Sequence, residues 1–354
     1  MRDNEVIRSD KSLSALLGDR RLPALKTREE MLEILQREEY GYMPPLPQSL
    51  RFQVQEDALP NFAGKARCHR VTAEGTVGGR AFAFPFIAVL PTDGAQHPFF
   101  IHINFRDLVP DRYMPTEELV DRGYAVLSFC HNDVTTDDGD FTNGLAGALF
   151  ACGKRTPTDP GKIAMWAWAA QRVLDWALTR TDVLDPARAI VCGHSRLGKT
   201  ALLAAATDTR FYAGYSNDSG SSGAAIARGR AEGGETVAHI CRVFPFWFCE
   251  NYCRYTGNED AMPFDQHELL ACIAPRRCLI GSASLDRWAD PVSEQLSVLA
   301  ASPAFRNPAP MPDRPAAVGE AFLRGDIGYH LRKGTHFFSR SDWLRLMEFI
   351  EIEA

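Results

Sequence analysis

Ala189-Ile190-Val191-Cys192-Gly193-His194-Ser195-Arg196-Leu197-Gly198-Lys199 runs as an apolar strand into a serine and turns at once into an alanine-rich helix. Such a turn is a nucleophile elbow. The serine sits in strained backbone geometry that demands small neighbours, its hydroxyl stands clear of the sheet, and the helix N-terminus directs backbone N–H groups at a developing oxyanion. Gly193 fits the usual spacing two residues before the serine. Leu197 departs from it two residues after, with the glycine displaced to Gly198. A tight strand-helix junction without chemistry reads the same way locally, so the motif needs its partners.

Apolar segments on either side of the elbow predict the sheet around it. Phe52 to Leu90 holds strand candidates ending in Ala81-Phe82-Ala83-Phe84-Pro85-Phe86-Ile87-Ala88-Val89-Leu90, followed by Phe99 to Phe105. Strands apolar on both faces imply a sheet covered by helices. A helix over Glu117–Arg122, a strand over Tyr124–Cys130 and a long helix from about Ile163 to Thr179 lead to the elbow strand. Gly214–Asn217, Cys278–Ser284 and Ile327–Leu331 read as later strands, and Asp342–Ile352 as the closing helix. This alternation predicts an α/β-hydrolase fold, a mostly parallel doubly wound sheet flanked by helices, in a single domain over residues 1–354. Residues 1 to about 50 form an N-terminal helical extension with a helix over Arg28–Glu39. Two loop insertions follow, at about 133–160 and 224–257. The first is acidic (Asp133, Asp137, Asp138, Asp140) and reads as a solvated loop. The second carries Arg228, Arg230, Glu232 and Glu235 ahead of Phe244-Pro245-Phe246-Trp247-Phe248, mostly core or the wall of a sugar site.

With 354 residues, 45% hydrophobic, 24% charged and a net charge of −6, the chain can bury a large core. It contains no Lys/Arg-rich block of the kind that binds nucleic acid or an anionic membrane. No segment is long and apolar enough to span a bilayer, and no apolar signal-peptide core follows Met1, so the expectation is a cytosolic chain or an exported form whose leader has been removed. The nine cysteines, Cys130, Cys192, Cys241, Cys272 and Cys278 among them, lie largely in apolar runs and read as buried thiols. Cys249 and Cys253 have the look of a metal pair but lack a second pair, so no metal is expected.

A serine hydroxyl attacks a carbonyl only when a histidine takes its proton and a carboxylate orients that histidine, in the chain order serine, acid, histidine for this fold. His336 follows the last predicted strand through Lys333-Gly334-Thr335 and is the expected base. His330 lies inside the strand, His194 points away from the hydroxyl, and His267 belongs to a separate loop. Two acids remain open: Asp286, with Asp290 as a nearby substitute, after the Cys278–Ser284 strand, and Asp218 after the strand that follows the elbow. Each reads equally as a turn or cap aspartate. No cofactor is required.

Gly193-His194-Ser195-Arg196-Leu197-Gly198-Lys199, Asn217-Asp218-Ser219-Gly220, Gly223-Ala224-Ala225, Phe244-Pro245-Phe246-Trp247-Phe248, Pro263-Phe264-Asp265-Gln266-His267, Ile273-Ala274-Pro275-Arg276 and Asp286-Arg287-Trp288 occur in this order. Together they resemble the glucuronoyl esterases of carbohydrate esterase family 15, in their bacterial form, from about Tyr40 to His336. The resemblance implies hydrolysis of the ester between a 4-O-methyl-glucuronic acid branch of xylan and an alcohol, such as a lignin alcohol in plant walls. It makes Ser195 the nucleophile, His336 the general base and acid, and Arg196 the oxyanion partner. Lys199 and Trp288 would line the uronate site. Fungal members have a glutamate where Asp218 stands, which shifts weight to Asp286. Their Gln/Glu pair on the sugar falls in Glu235–Phe244, where Glu235 alone is suited and Val243 or Phe244 replaces the second partner. Alternatives on the same fold are a galacturonate methylesterase, an acetyl xylan esterase and a non-catalytic carbohydrate-binding protein.

Overall fold

The computed structural model describes residues 12–58, 60–229 and 233–352. Arg230 and Glu232, named among the charges of the second insertion, and the first eleven residues of the N-terminal extension lie outside the described residues.

Ten strands among the described residues form one sheet: β1 (Ser49–Glu56), β2 (Ala66–Val77), β3 (Arg80–Pro91), β4 (His97–Asn104), β5 (Ala125–Cys130), β6 (Leu184–His194), β7 (Ala213–Asn217), β8 (Arg277–Ala283), β9 (Ala321–Phe322) and β10 (Ile327–Arg332). Their spatial order is β1-β2-β3-β5-β4-β6-β7-β8-β10-β9. From β5 through β10 every neighbouring pair is parallel. The first three strands and the contact of β3 with β5 are antiparallel, as is β9 at the far edge. Phe99 to Ile101, Ala189 to Cys192 and Cys278 to Ile280 are fully buried. That is the consequence of apolar residues at consecutive positions in strands whose two faces both carry helices.

The predicted long helix spans Lys162–Ala177 and is buried on all sides but for Asp175. Its outer face is covered by the N-terminal segment, where the Trp168 indole donates to the Pro45 carbonyl (3.0 Å). The N-terminal helix begins at Arg28 under a Thr27–Glu30 capping box, as the sequence predicts. Regular α-helix stops at Leu35, however, and Gln36–Tyr40 continues as a wider turn. The carbonyls of Glu39 and Tyr40 are taken by the N–H groups of Cys249 (2.8 Å) and Gly161 (2.9 Å), which pulls this turn out of the helical ladder.

The reading of Cys241 as a buried thiol is corrected. Cys241, at the end of the helix Val237–Val243, is disulfide-bonded to Cys253 in the turn Glu250–Tyr255, their Cα atoms 5.5 Å apart. The intervening aromatic run doubles the chain back, and twelve residues of separation give no hint of that return. Cys130, Cys192, Cys272 and Cys278 are buried free thiols as expected. The aromatic run itself is largely core: Trp247 and Phe248 are buried, and Phe244 stacks flat on Trp247 with centroids 3.9 Å apart.

Candidate active site

β6 ends at His194, and Ser195 takes φ +58°, ψ −131° before the helix Arg196–Thr207 begins. This conformation is costly for a residue with a side chain and persists where the surroundings over-determine it. Here the Ser195 N–H is fixed to the Asn217 carbonyl at the end of β7 (2.9 Å). A Cβ at position 193 would lie 2.2 Å from the Leu197 carbonyl oxygen, and one at 198 would lie 2.7 Å from Ser216 Oγ. The departure from the usual glycine spacing follows from these contacts. Leu197 is buried in the core, and the second glycine is needed one residue later, where the helix passes the end of β7.

β8 and β10 run parallel in register, with Arg332 opposite Ala283. The ladder extends into the following loops through Ser284 N–H to the Arg332 carbonyl (2.9 Å) and Leu285 N–H to the Gly334 carbonyl (2.8 Å). This brings Asp286 to His336, whose Nδ1 lies 2.5 Å from Asp286 Oδ2. Asp286 is buried, while the His336 side chain is 41% exposed. Asp218 approaches the same pair without bonding to the ring: a ligating atom of Asp218, Asp286 and His336 each lies within 4.8 Å of the others. Its Oδ1 accepts from Ala283 N–H (2.7 Å) and its Oδ2 from Arg332 (3.2 Å). Asp290 has the plain structural role, capping the helix Pro291–Ala301 through Ser293 N–H (3.2 Å).

The three other histidines weighed as the base are held elsewhere. Burial drops His330 to a pKa of about 3, with the Tyr215 hydroxyl 3.0 Å from its Nε2. His267 lies on the helix Gln266–Ala271 rather than in a loop, bonded to the Pro23 carbonyl (2.9 Å). His194 turns its Nδ1 to Asn217 Oδ1 (2.7 Å), and its ring lies 4.4 Å from that of His336. Burial and the adjacent His336 bring it to about 3, so it packs against His336 as a neutral ring.

Arg196 and Lys199 share one face of the elbow helix. Arg196 forms an ion pair with Asp137 and is 28% exposed, its guanidinium 4.9 Å from the Trp247 ring. Its Nε is buried without a hydrogen-bond acceptor. Lys199 is buried and pairs with Glu235 (2.7 Å), and its ammonium also donates to the Ser221 carbonyl. Glu235 in turn donates its N–H to the Trp288 carbonyl (2.9 Å), which fixes the backbone of a tryptophan that is 43% exposed. His239 meets that ring edge-on at 4.6 Å. Val243 is 40% exposed and Phe244 is held against Trp247, so neither offers the polar second partner of the Gln/Glu pair.

The reading of the acidic insertion as a solvated loop is corrected at Asp137. Its carboxylate accepts from the Trp247 indole (2.7 Å), faces His131 Nε2 (3.4 Å) and pairs with Arg196. Against the opposing effect of burial, these partners hold it down at about 2. Buried Lys162 clamps the loop from behind, donating to Thr135 Oγ1 (2.8 Å) and to the Asp140 carbonyl. Sequence reasoning missed Asp137, Trp247 as its donor, and Arg332. Their signal is an aspartate in a polar loop and an arginine ending a strand, neither of which is specific.

A parallel sheet of this order with a strained serine at the end of β6, an acid loop after β8 and a histidine loop after β10 defines an α/β-hydrolase. The family model described as glucuronyl esterase, fungi, matches residues 74–307. A carbohydrate esterase of an unknown prokaryotic organism is 38% identical over 242 residues, 66% of this chain and 55% of that protein. A 4-O-methyl-glucuronoyl methylesterase of Podospora anserina is 29% identical over 256 residues, 70% of this chain and 48% of that protein. The chain thus spans about half the length of these curated relatives. Among solved structures, a promiscuous CE15 esterase from the marine bacterial metagenome is 30% identical, with a TM-score of 0.81, covering 92% of this chain and 91% of that one. A glucuronoyl esterase from Solibacter usitatus is 28% identical, with a TM-score of 0.83, covering 94% and 97%. The chain belongs to the glucuronyl esterase family, carbohydrate esterase family 15.

Proposed function

We propose that the protein is a serine esterase that hydrolyses esters of glucuronic acid, the 4-O-methyl-glucuronoyl esters of xylan among them, through an acyl-enzyme and without a cofactor. The observation that carries this reading is the Asp286–His336 pair, whose histidine ring packs on His194 next to the elbow serine, with a guanidinium on the residue after that serine. Ser195 attacks the ester carbonyl as His336 takes its proton. Asp286 holds Nδ1–H so that Nε2 is the free base and stabilises the imidazolium that forms. Negative charge gathering on the carbonyl oxygen meets the first N–H groups of the elbow helix and the permanent cation of Arg196. His336 then protonates the departing alcohol, and the same histidine activates the water that releases the uronic acid.

Lys199, Glu235 and Trp288 form the proposed uronate wall. The Lys199–Glu235 pair is buried and its atoms are pre-oriented, so a sugar hydroxyl meets a fixed donor and acceptor at little entropic cost. One continuous sheet from β1 to β9 supports the single-domain organisation. The test is alcohol release from benzyl glucuronate, methyl galacturonate and acetylated xylan, with wild type beside Ser195→Ala. Preference for the glucuronate, abolished in the variant, is the expected outcome. Turnover of only the galacturonate or the acetyl ester would move the substrate while keeping the mechanism. Silence on all three would overturn the reading in favour of a binding protein.

A further inference from the structure

Arg332, the last residue of β10, makes an unusual set of contacts around His336. Its Nη2 donates to the carbonyls of Thr335 (3.1 Å) and Phe337, the residues on either side of the histidine. The arginine is held from behind by two carboxylates, Nε to Asp342 Oδ2 (2.6 Å) and Nη2 to Asp218 Oδ2 (3.2 Å), both fully buried at the side chain. Gly334 makes room for it, since a Cβ there would lie 2.5 Å from Arg332 Nη1. Asp218 is anchored in turn by Ala283 N–H, on the strand that leads to Asp286. Burial with Asp286 and Glu294 nearby raises the Asp218 carboxyl, and Arg332 opposes that rise. Both of its oxygens accept hydrogen bonds, so the anion is the form these contacts fit.

We propose that Arg332 is a positioning residue for His336: it grips the backbone on both sides of the histidine and so aims Nδ1 at Asp286. Asp218 acts on the histidine through Arg332 rather than as its direct partner. The physical argument is geometric. A planar guanidinium reaches two carbonyls and two carboxylates at once from a rigid strand end, which an ammonium cannot do. The loop it grips carries an exposed ring whose short bond to Asp286 is lost by a rotation of a few tens of degrees.

The proposal rests on His336 being the general base, and its test has a readout that needs no substrate. In a short Nδ1–H bond to a carboxylate the proton resonates far downfield in a proton NMR spectrum, and Asp286→Ala identifies it by its loss. Arg332→Lys is expected to broaden or shift that resonance and to lower kcat about tenfold or more, with KM within about twofold. Asp218→Asn keeps a carbonyl oxygen for Ala283 N–H but removes the charge facing Arg332, and is expected to do the same more weakly. The double variant should be no worse than Arg332→Lys alone. An unaltered resonance and kcat in Arg332→Lys overturns the proposal, and so do effects of the two changes that multiply, which would mean Asp218 acts directly. If Arg332→Lys does not fold, Asp218→Asn decides by itself: an unchanged resonance overturns the proposal. A wild type that turns over no glucuronate ester yet shows the expected resonance changes would sink the functional reading and leave the positioning role standing.

Discussion

The two flanks of Ser195 are built on opposite electrostatic plans. On the histidine side, Asp286, Asp218, Glu294 and Asp342 are buried around one another, and Arg332 bonds two of them. On the carbonyl side two cations, Arg196 and Lys199, each have one carboxylate partner, Asp137 and Glu235, and an aromatic wall at Trp247. In the proposed reaction the first arrangement suits a group that must become a cation. The second suits an oxygen that must become an anion. Of these acids Asp286 alone bonds the histidine ring, at Nδ1, and on the other flank the guanidinium of Arg196 is paired but partly exposed.

Breaking the histidine side at its centre should have the largest effect. Asp286→Ala is expected to lower kcat about 10³- to 10⁴-fold, in line with loss of the orienting acid in a triad. Asp218→Ala should cost far less, and steady-state kinetics on a glucuronate ester check the ratio. Equal small losses would show two acids sharing one role. On the carbonyl side, Arg196→Lys keeps the charge but loses the planar fork. It is expected to lower kcat about 10²-fold with little change in product affinity, measured by calorimetry. A loss in affinity equal to the loss in rate would make Arg196 a substrate clamp instead.

The smallest effect sharpens the contrast through pH. Glu294 sits in the carboxylate cluster, accepting from Gly220 N–H (2.9 Å), with the Ser219 and Ser282 hydroxyls beside it, and burial raises it to about 8. Between its ordinary value near 4.5 and about 8 the folded protein binds more protons here than the unfolded chain does. Stability from this group is therefore full below about 4.5 and declines as pH rises to about 8. Glu294→Gln, neutral throughout, should flatten that decline, so that its melting temperature relative to wild type rises between pH 5 and pH 8. Asp137 has the opposite sign. Held at about 2 against an ordinary 3.8, it contributes above 3.8 and loses that contribution as pH falls towards 2.

The elbow, the apolar strands and the histidine loop after the last of them were legible because each is encoded locally. A short apolar run such as Phe99–Ile103, bounded by turn residues, reads as a strand buried on both faces, and His336 is the histidine that follows the last strand. Which aspartate bonds the histidine was not legible, because the loops after β7 and β8 both carry aspartates, and only the register of β8 against β10 sets which one reaches the ring. Asp137 was read as solvated for the same reason: its partners Arg196 and Trp247 are 59 and 110 residues away. Cys241 looked like a core thiol until the chain's return brought Cys253 to it.

The sequence by itself determined the fold class, the strained serine and the cation that follows it, since these depend on short-range periodicity and on neighbours one or two residues apart. Only the tertiary structure decided which carboxylate meets which partner. A hydrogen bond is made within about 3 Å, and in this molecule that distance is set by the stacking of parallel strands, whose ends lie side by side however far apart they stand in the chain.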